Sequence, residues 1–175
     1  MGNCKYCGQP AGVLRTKHRE CAQKHDQGWS QMIHLAAQSA RGQGDKTGLE
    51  ADLTRLASNS YIPAERVRDA IIAGWEQVVS IFLEDGDLSV EEESQLIAFA
   101  NHFGLSQHDL DRKGVYTQFV KGGVLRELME GNIPNRFHSS DMPFNFQKSE
   151  AVIWVFDSVN YYEDKTRRQY AGGSS

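Results

Sequence analysis

The chain has 175 residues, 39% hydrophobic and 10% aromatic, enough for one or two small domains with a modest core. No apolar run approaches the length of a membrane-crossing helix, and the opening MGNCKYCGQP lacks an apolar signal region. The net charge of -4 hides an asymmetry, since residues 1–25 hold five of the 19 basic residues but only one of the 23 acidic ones, and two surfaces with different partners are expected.

Cys4, Cys7 and Cys21 all fall in the first 21 residues, interleaved with histidine. An odd, clustered set points to metal in a reducing cytoplasm rather than to disulfides. Cys4-x2-Cys7-Gly8 has the form of a zinc knuckle, two thiolates turning inward around one ion while Gly8 relieves the turn. Gln9-Pro10-Ala11-Gly12 signals a turn and Val13-Leu14 a short strand. His18-x2-Cys21 then sets two ligands on one face of a helix's first turn. Cys4, Cys7, His18 and Cys21 are the expected ligands of one structural Zn2+, with His25, one turn beyond Cys21, the alternative to His18. Knuckle, short hairpin and helix-borne ligands resemble a treble-clef zinc finger over residues 1–26. Lys5, Arg15, Lys17, Arg19 and Lys24 make this finger basic, and with Tyr6 they are candidate nucleic-acid contacts.

The helix is expected to continue through Trp29, Ile33, Ala36 and Ala40, weakened near its start by Gly28. A flexible joint at 41–48 closes a helix-and-linker segment, 27–48. Leu49, Leu53 and Leu56 mark a short amphipathic helix that opens a helical domain, 49–132, expected to fold independently of the finger. Pro63 is placed as the first residue of the next helix, whose stripe is Val67, Ile71, Trp75, Val78, Val79 and Phe82.

Residues 84–106 read as an acidic turn, a helix and its stop. Ser89 and Glu92 form a capping box, and Glu91, Glu92 and Glu93 place negative charge at the positive end of the helix dipole. Leu96, Ile97, Ala100 and Phe103 supply the apolar stripe, and Gly104 the left-handed stop. This helix should pack against its predecessor, Trp75 and Phe82 facing Leu96 and Phe103. The carboxylates read first as a solvated, capped helix start. The EF-hand pattern fails, because Val90 stands at the glycine position and Leu96 at the bidentate glutamate. A weak divalent-cation site at Asp85, Asp87 and Glu91 is the alternative. Asp85-Gly86-Asp87-Leu88-Ser89, then Glu91-Glu92, then the helix ending Phe103-Gly104-Leu105-Ser106, resembles the TerB-like helical domain of tellurite-resistance and stress-response proteins, over about 49–130. That resemblance implies an all-helical interaction or metal-responsive module, with Asp85, Asp87, Glu91 and Glu92 as cation-contacting positions.

Ser106 and Asp109 repeat the capping pattern. Val115, Phe119, Val120, Val124, Leu125, Leu128 and Met129 predict a last helix with a kink at Gly122-Gly123, stopped before Pro134. The run AVIWVF at 151–156 is the clearest strand, and 137–175 is expected to form a short β-meander. Apolar on both faces, that segment needs a covering surface and reads as part of an unfinished β-domain. No phosphate loop, dinucleotide fingerprint, nucleophile elbow or HExxH helix occurs; Lys121-Gly122-Gly123 has its glycines on the wrong side of the lysine. The fold expected is therefore mainly α: zinc finger, helical bundle and short C-terminal β-meander. The function expected is that of a cytoplasmic, non-catalytic zinc-binding adaptor in stress or phage defence, with a protein partner and no membrane. Nucleic-acid binding by the finger is the alternative.

Overall fold

Val67, Ala70, Ile71, Gly74, Trp75 and Val78 share a helical face, and Ile72 and Val79 are buried beside them. A helix apolar around most of its circumference belongs at the centre of a domain. The computed structural model describes residues 2–12, 15–85 and 88–132, and there this helix is the one the others pack around. Among the described residues, an antiparallel ribbon of β1 (Gly2–Asn3) and β2 (Pro10–Gly12) precedes six helices. These are α1 (Arg19–Ala40), α2 (Lys46–Asn59), the central α3 (Val67–Phe82), α4 (Val90–His102), α5 (Gln107–Leu110) and α6 (Val115–Met129). The described residues are mainly helical. The chain divides into two units, Met1–Asn132 and Ile133–Ser175. All described residues lie in the first; the expected β-meander at 137–175 lies outside them, as do Val13 and Leu14.

α1 is the principal partner of α3. It buries Gly28, Met32, Ala36, Ala37 and Ala40, a face of small residues that admits close approach, whereas Trp29 and Ile33 sit at its margin. Gly28 and Gly74 are contact points. A Cβ on Gly74 would lie 2.5 Å from Ala36 Cβ and 2.7 Å from the Ala37 nitrogen, and one on Gly28 would overlap the Ser60 side chain. The sequence reading of Gly28 as a weak point is thus corrected: the missing side chain lets the backbone meet Ser60.

The expected joint at 41–48 is shorter, because Asp45 caps α2 by accepting from the Thr47 amide at 2.9 Å, and helix begins at Lys46. Pro63 does not enter a helix as first residue. Its extended ψ of 142° places it before a 3-10 turn, Ala64–Arg66, and α3 starts after that.

Both predicted capping boxes are formed, Ser89 with Glu92 and Ser106 with Asp109. α4 ends at Gly104 (φ +56°), where Leu105 N–H donates to Ala100 O at 2.9 Å and Gly104 N–H to Asn101 O at 3.2 Å, a Schellman closure. The core face of α4 is Glu93, Leu96 and Phe99, and Ile97 is exposed. Trp75 reaches α4 by donating from Nε1 to the Leu96 carbonyl at 3.2 Å. α6 runs as one helix through Gly122 and Gly123, both buried, and a Cβ on Gly122 would overlap Leu83. Phe119 and Val124 are buried there, while Leu125, Leu128 and Met129 stay exposed.

Candidate metal centre

The finger is assembled by local backbone bonds. Gly8 N–H donates to the Cys4 carbonyl at 2.9 Å and Cys4 N–H to the Gln9 carbonyl at 2.7 Å, folding the chain so that Cys4 and Cys7 share one side. Lys5 N–H donates to the Thr16 carbonyl at 2.9 Å, which lays the segment entering α1 across the knuckle. His18 is the N-cap of α1 but makes no side-chain cap bond, so its ring is available to the cysteines. Cys21 follows in the first helical turn, where the dipole favours a thiolate.

The four predicted ligand atoms of Cys4, Cys7, His18 and Cys21 lie within 4.8 Å of one another. His18 Nδ1 stands 3.3 Å from Cys7 Sγ and 3.7 Å from Cys21 Sγ. Sulfur at about 2.3 Å and nitrogen at about 2.0 Å from one tetrahedral ion would be roughly 3.5 Å apart, so both distances suit a shared cation. His18 Nε2 is 3.0 Å from the Pro10 carbonyl. A nitrogen facing a carbonyl carries the proton, which leaves the Nδ1 lone pair for the site and fixes the ring. His18 N–H also donates to Cys4 Sγ at 3.3 Å.

The cysteines are free of disulfides, and Cys4 is 2% exposed. Burial pushes the Cys4 thiol up, but the backbone amides of Cys7, His18 and Tyr6 outweigh it, and its pKa falls from 9.0 to about 6. Burial and then the neighbouring Cys7 and Cys4 sulfurs push Cys21 up to about 11. The crowded sulfurs disfavour ionising together, and a cation among them would remove that conflict while releasing protons.

His25 lies apart from the cluster, its Nδ1 3.1 Å from Asp26 Oδ1 and its ring 4.9 Å from that of Tyr6. In the acidic turn, Glu92 is engaged by Ser89 and Glu93 by Arg126, while Glu91 is exposed at the start of α4. Asp87 and the Asp85 side chain lie outside the described residues, so no cation site at Asp85, Asp87 and Glu91 is assembled among those described. Lys5, Arg15, Lys17, Arg19 and Lys24 are all exposed.

Tyr61 is a residue the sequence reading missed. It sits in the turn between α2 and α3 with a positive φ of 55°, and its ring is 6.4 Å from that of Tyr6. Lys24 Nζ lies 5.3 Å from its ring centroid, and the Cys21 sulfur, then burial, then Cys7 raise its phenol pKa. Its only sequence signal was the polar run 58–60 before Pro63, which marks a turn and not a contact. Compared with protein-family models, curated proteins and solved structures, the chain matches none.

Proposed function

We propose that this protein is a non-catalytic, zinc-stabilised interaction module, with Zn2+ held by Cys4, Cys7, His18 and Cys21. The convergence of three sulfurs and one imidazole nitrogen within 4.8 Å carries this reading. Four protein ligands fill a tetrahedral shell and leave no open position for substrate, so the ion's role is structural. A thiolate-rich site needs reduced cysteines, which fits the cytoplasm. Among the described residues no helix is long and apolar enough to cross a membrane. The helical part is read as a TerB-like module serving a stress or phage-defence assembly through a protein partner.

Elemental analysis of the purified full chain, paired with cobalt substitution, tests the metal site. One zinc per chain is expected, and Co2+ should give the visible absorption of a tetrahedral site with strong thiolate-to-cobalt charge transfer. A chain that purifies without metal and leaves added Co2+ octahedral would overturn the reading.

A further inference from the structure

Among the described residues beyond the finger, Arg55, Arg66, Arg68, Arg112, Lys113 and Arg126 each meet a carboxylate, whereas Arg41 and Lys46 are in no ion pair with a described residue. In the finger, Lys5, Arg15, Lys17, Arg19 and Lys24 are held in no ion pair with any described residue. Two of these free cations lie over tyrosine rings instead, Lys5 Nζ 4.8 Å from the Tyr6 centroid and Lys24 Nζ 5.3 Å from that of Tyr61. The rings come from separate parts of the chain, Tyr6 from the knuckle and Tyr61 from the α2–α3 turn, yet they stand 6.4 Å apart. Tyr61 is 37% exposed and is the one non-glycine residue among those described with a left-handed backbone. Glycine or asparagine would occupy that conformation at less cost, so the strain holds a large ring at the surface.

We infer that Tyr6 and Tyr61, with the unpaired Lys5, Arg15, Lys17 and Lys24, form a stacking face for single-stranded nucleic acid. The inference rests on the metal-bound finger proposed above, which sets Tyr6 against Tyr61. Unpaired lysines attract phosphates, and the exposed Tyr61 ring beside the half-buried Tyr6 gives an unstacked base a flat partner without regard to its identity. In a duplex the base faces are covered, so a single strand fits and a double strand does not. An acidic protein segment would satisfy the lysines but would leave the rings unused. The acidic excess of the described helices disfavours a polyanion there.

The test is fluorescence anisotropy of a labelled oligothymidylate about 12 nucleotides long, titrated with the zinc-loaded full chain between about 50 and 200 mM salt. Tyr61→Asn removes the ring but suits the backbone, and should weaken binding about fivefold to a hundredfold, the range for losing one stacked base. Tyr61→Phe should restore it. Lys5→Gln with Lys24→Gln should flatten the salt dependence by about 0.7 per lysine in the log–log slope. A base-free strand of equal length should bind more weakly. Equal binding by Tyr61→Asn, or by the base-free strand, would overturn the stacking face, and preferential binding of polyglutamate would assign the surface to an acidic protein segment. A flat titration by protein carrying one zinc per chain sinks this inference alone; protein that holds no zinc sinks the metal reading with it.

Discussion

Asp109 shows how much of this fold rests on single carboxylates. It accepts from the Ser106 hydroxyl at 2.7 Å, the Ser106 amide at 3.0 Å and Arg68 at 3.0 Å. The Ser106 bonds first, and then Arg68, hold its pKa well below the ordinary carboxylate range. A depressed folded pKa contributes stability that is full above the unfolded value, about 4, and is lost as pH falls below it. Wild type should therefore exceed Asp109→Asn in stability at neutral pH, and the gap should close as pH drops below about 4. Urea melts of both proteins across that range check this, and a gap independent of pH would contradict it. Gly74 is the second such position. Its Cβ would fall 2.5 Å from Ala36 Cβ, and Ala37's backbone cannot give way as a side-chain tip can. Gly74→Ala should cost about 2 kcal/mol, despite alanine's better helix propensity, because α1 must move off α3.

At the scale of elements, α4 and α6 are joined by Arg126. Its guanidinium donates to Glu93 Oε2 at 2.7 Å and to the Leu88 carbonyl at 2.6 Å, with the two side chains 11% and 12% exposed. The pair is mostly out of water, so the loss of one member is worse than the loss of both. Arg126→Met alone should destabilise by about 3 kcal/mol, and Arg126→Met with Glu93→Leu should recover much of it. Chemical denaturation of the double-mutant cycle measures this coupling; additive losses would mean the pair is not coupled. The α4 cap is a smaller term. Ser89→Ala leaves the Glu92 amide without its 3.2 Å acceptor and should cost about 1 kcal/mol.

Across the described residues, the Cys/His cluster and the core are tied through one helix. α1 carries Cys21 in its first turn and Ala40, buried against the core, at its end, so the expected finger boundary at residue 26 falls inside continuous helix. Gly28 is held at Ser60, whereas the turns before it are secured by the ligand cluster and by Tyr6 and Tyr61. Cys7→Ser, or a strong chelator, should fray about the first two turns of α1, roughly seven residues, and leave the remaining helices formed. The melting midpoint should fall as well, since α1 is the chief partner of α3. Circular dichroism with and without chelator distinguishes this from loss of all helicity, which would make the metal the support of the entire unit.

Features that depend on spacing along the chain are legible before any folding is considered. The clustering of three cysteines with two candidate histidines, both capping boxes, the Gly104 stop and the existence of the main helices follow from chemistry within a few residues. Tertiary structure decided whatever depends on which neighbour arrives. His18 joins the cysteines because the Pro10 carbonyl and the N-cap position orient its ring, while His25, the alternative one turn beyond Cys21, lies against Tyr6 and Asp26. Phe99 is buried and Ile97 exposed because the core approaches α4 from the Trp75 side, which periodicity alone does not specify. Gly28 and Gly74 became contacts, and Tyr61 a neighbour of Tyr6 and Lys24, only when α1, α2 and α3 came together. Residue pairs such as Tyr6 and Tyr61 are distant in the chain, and local propensity holds no information about where their rings meet.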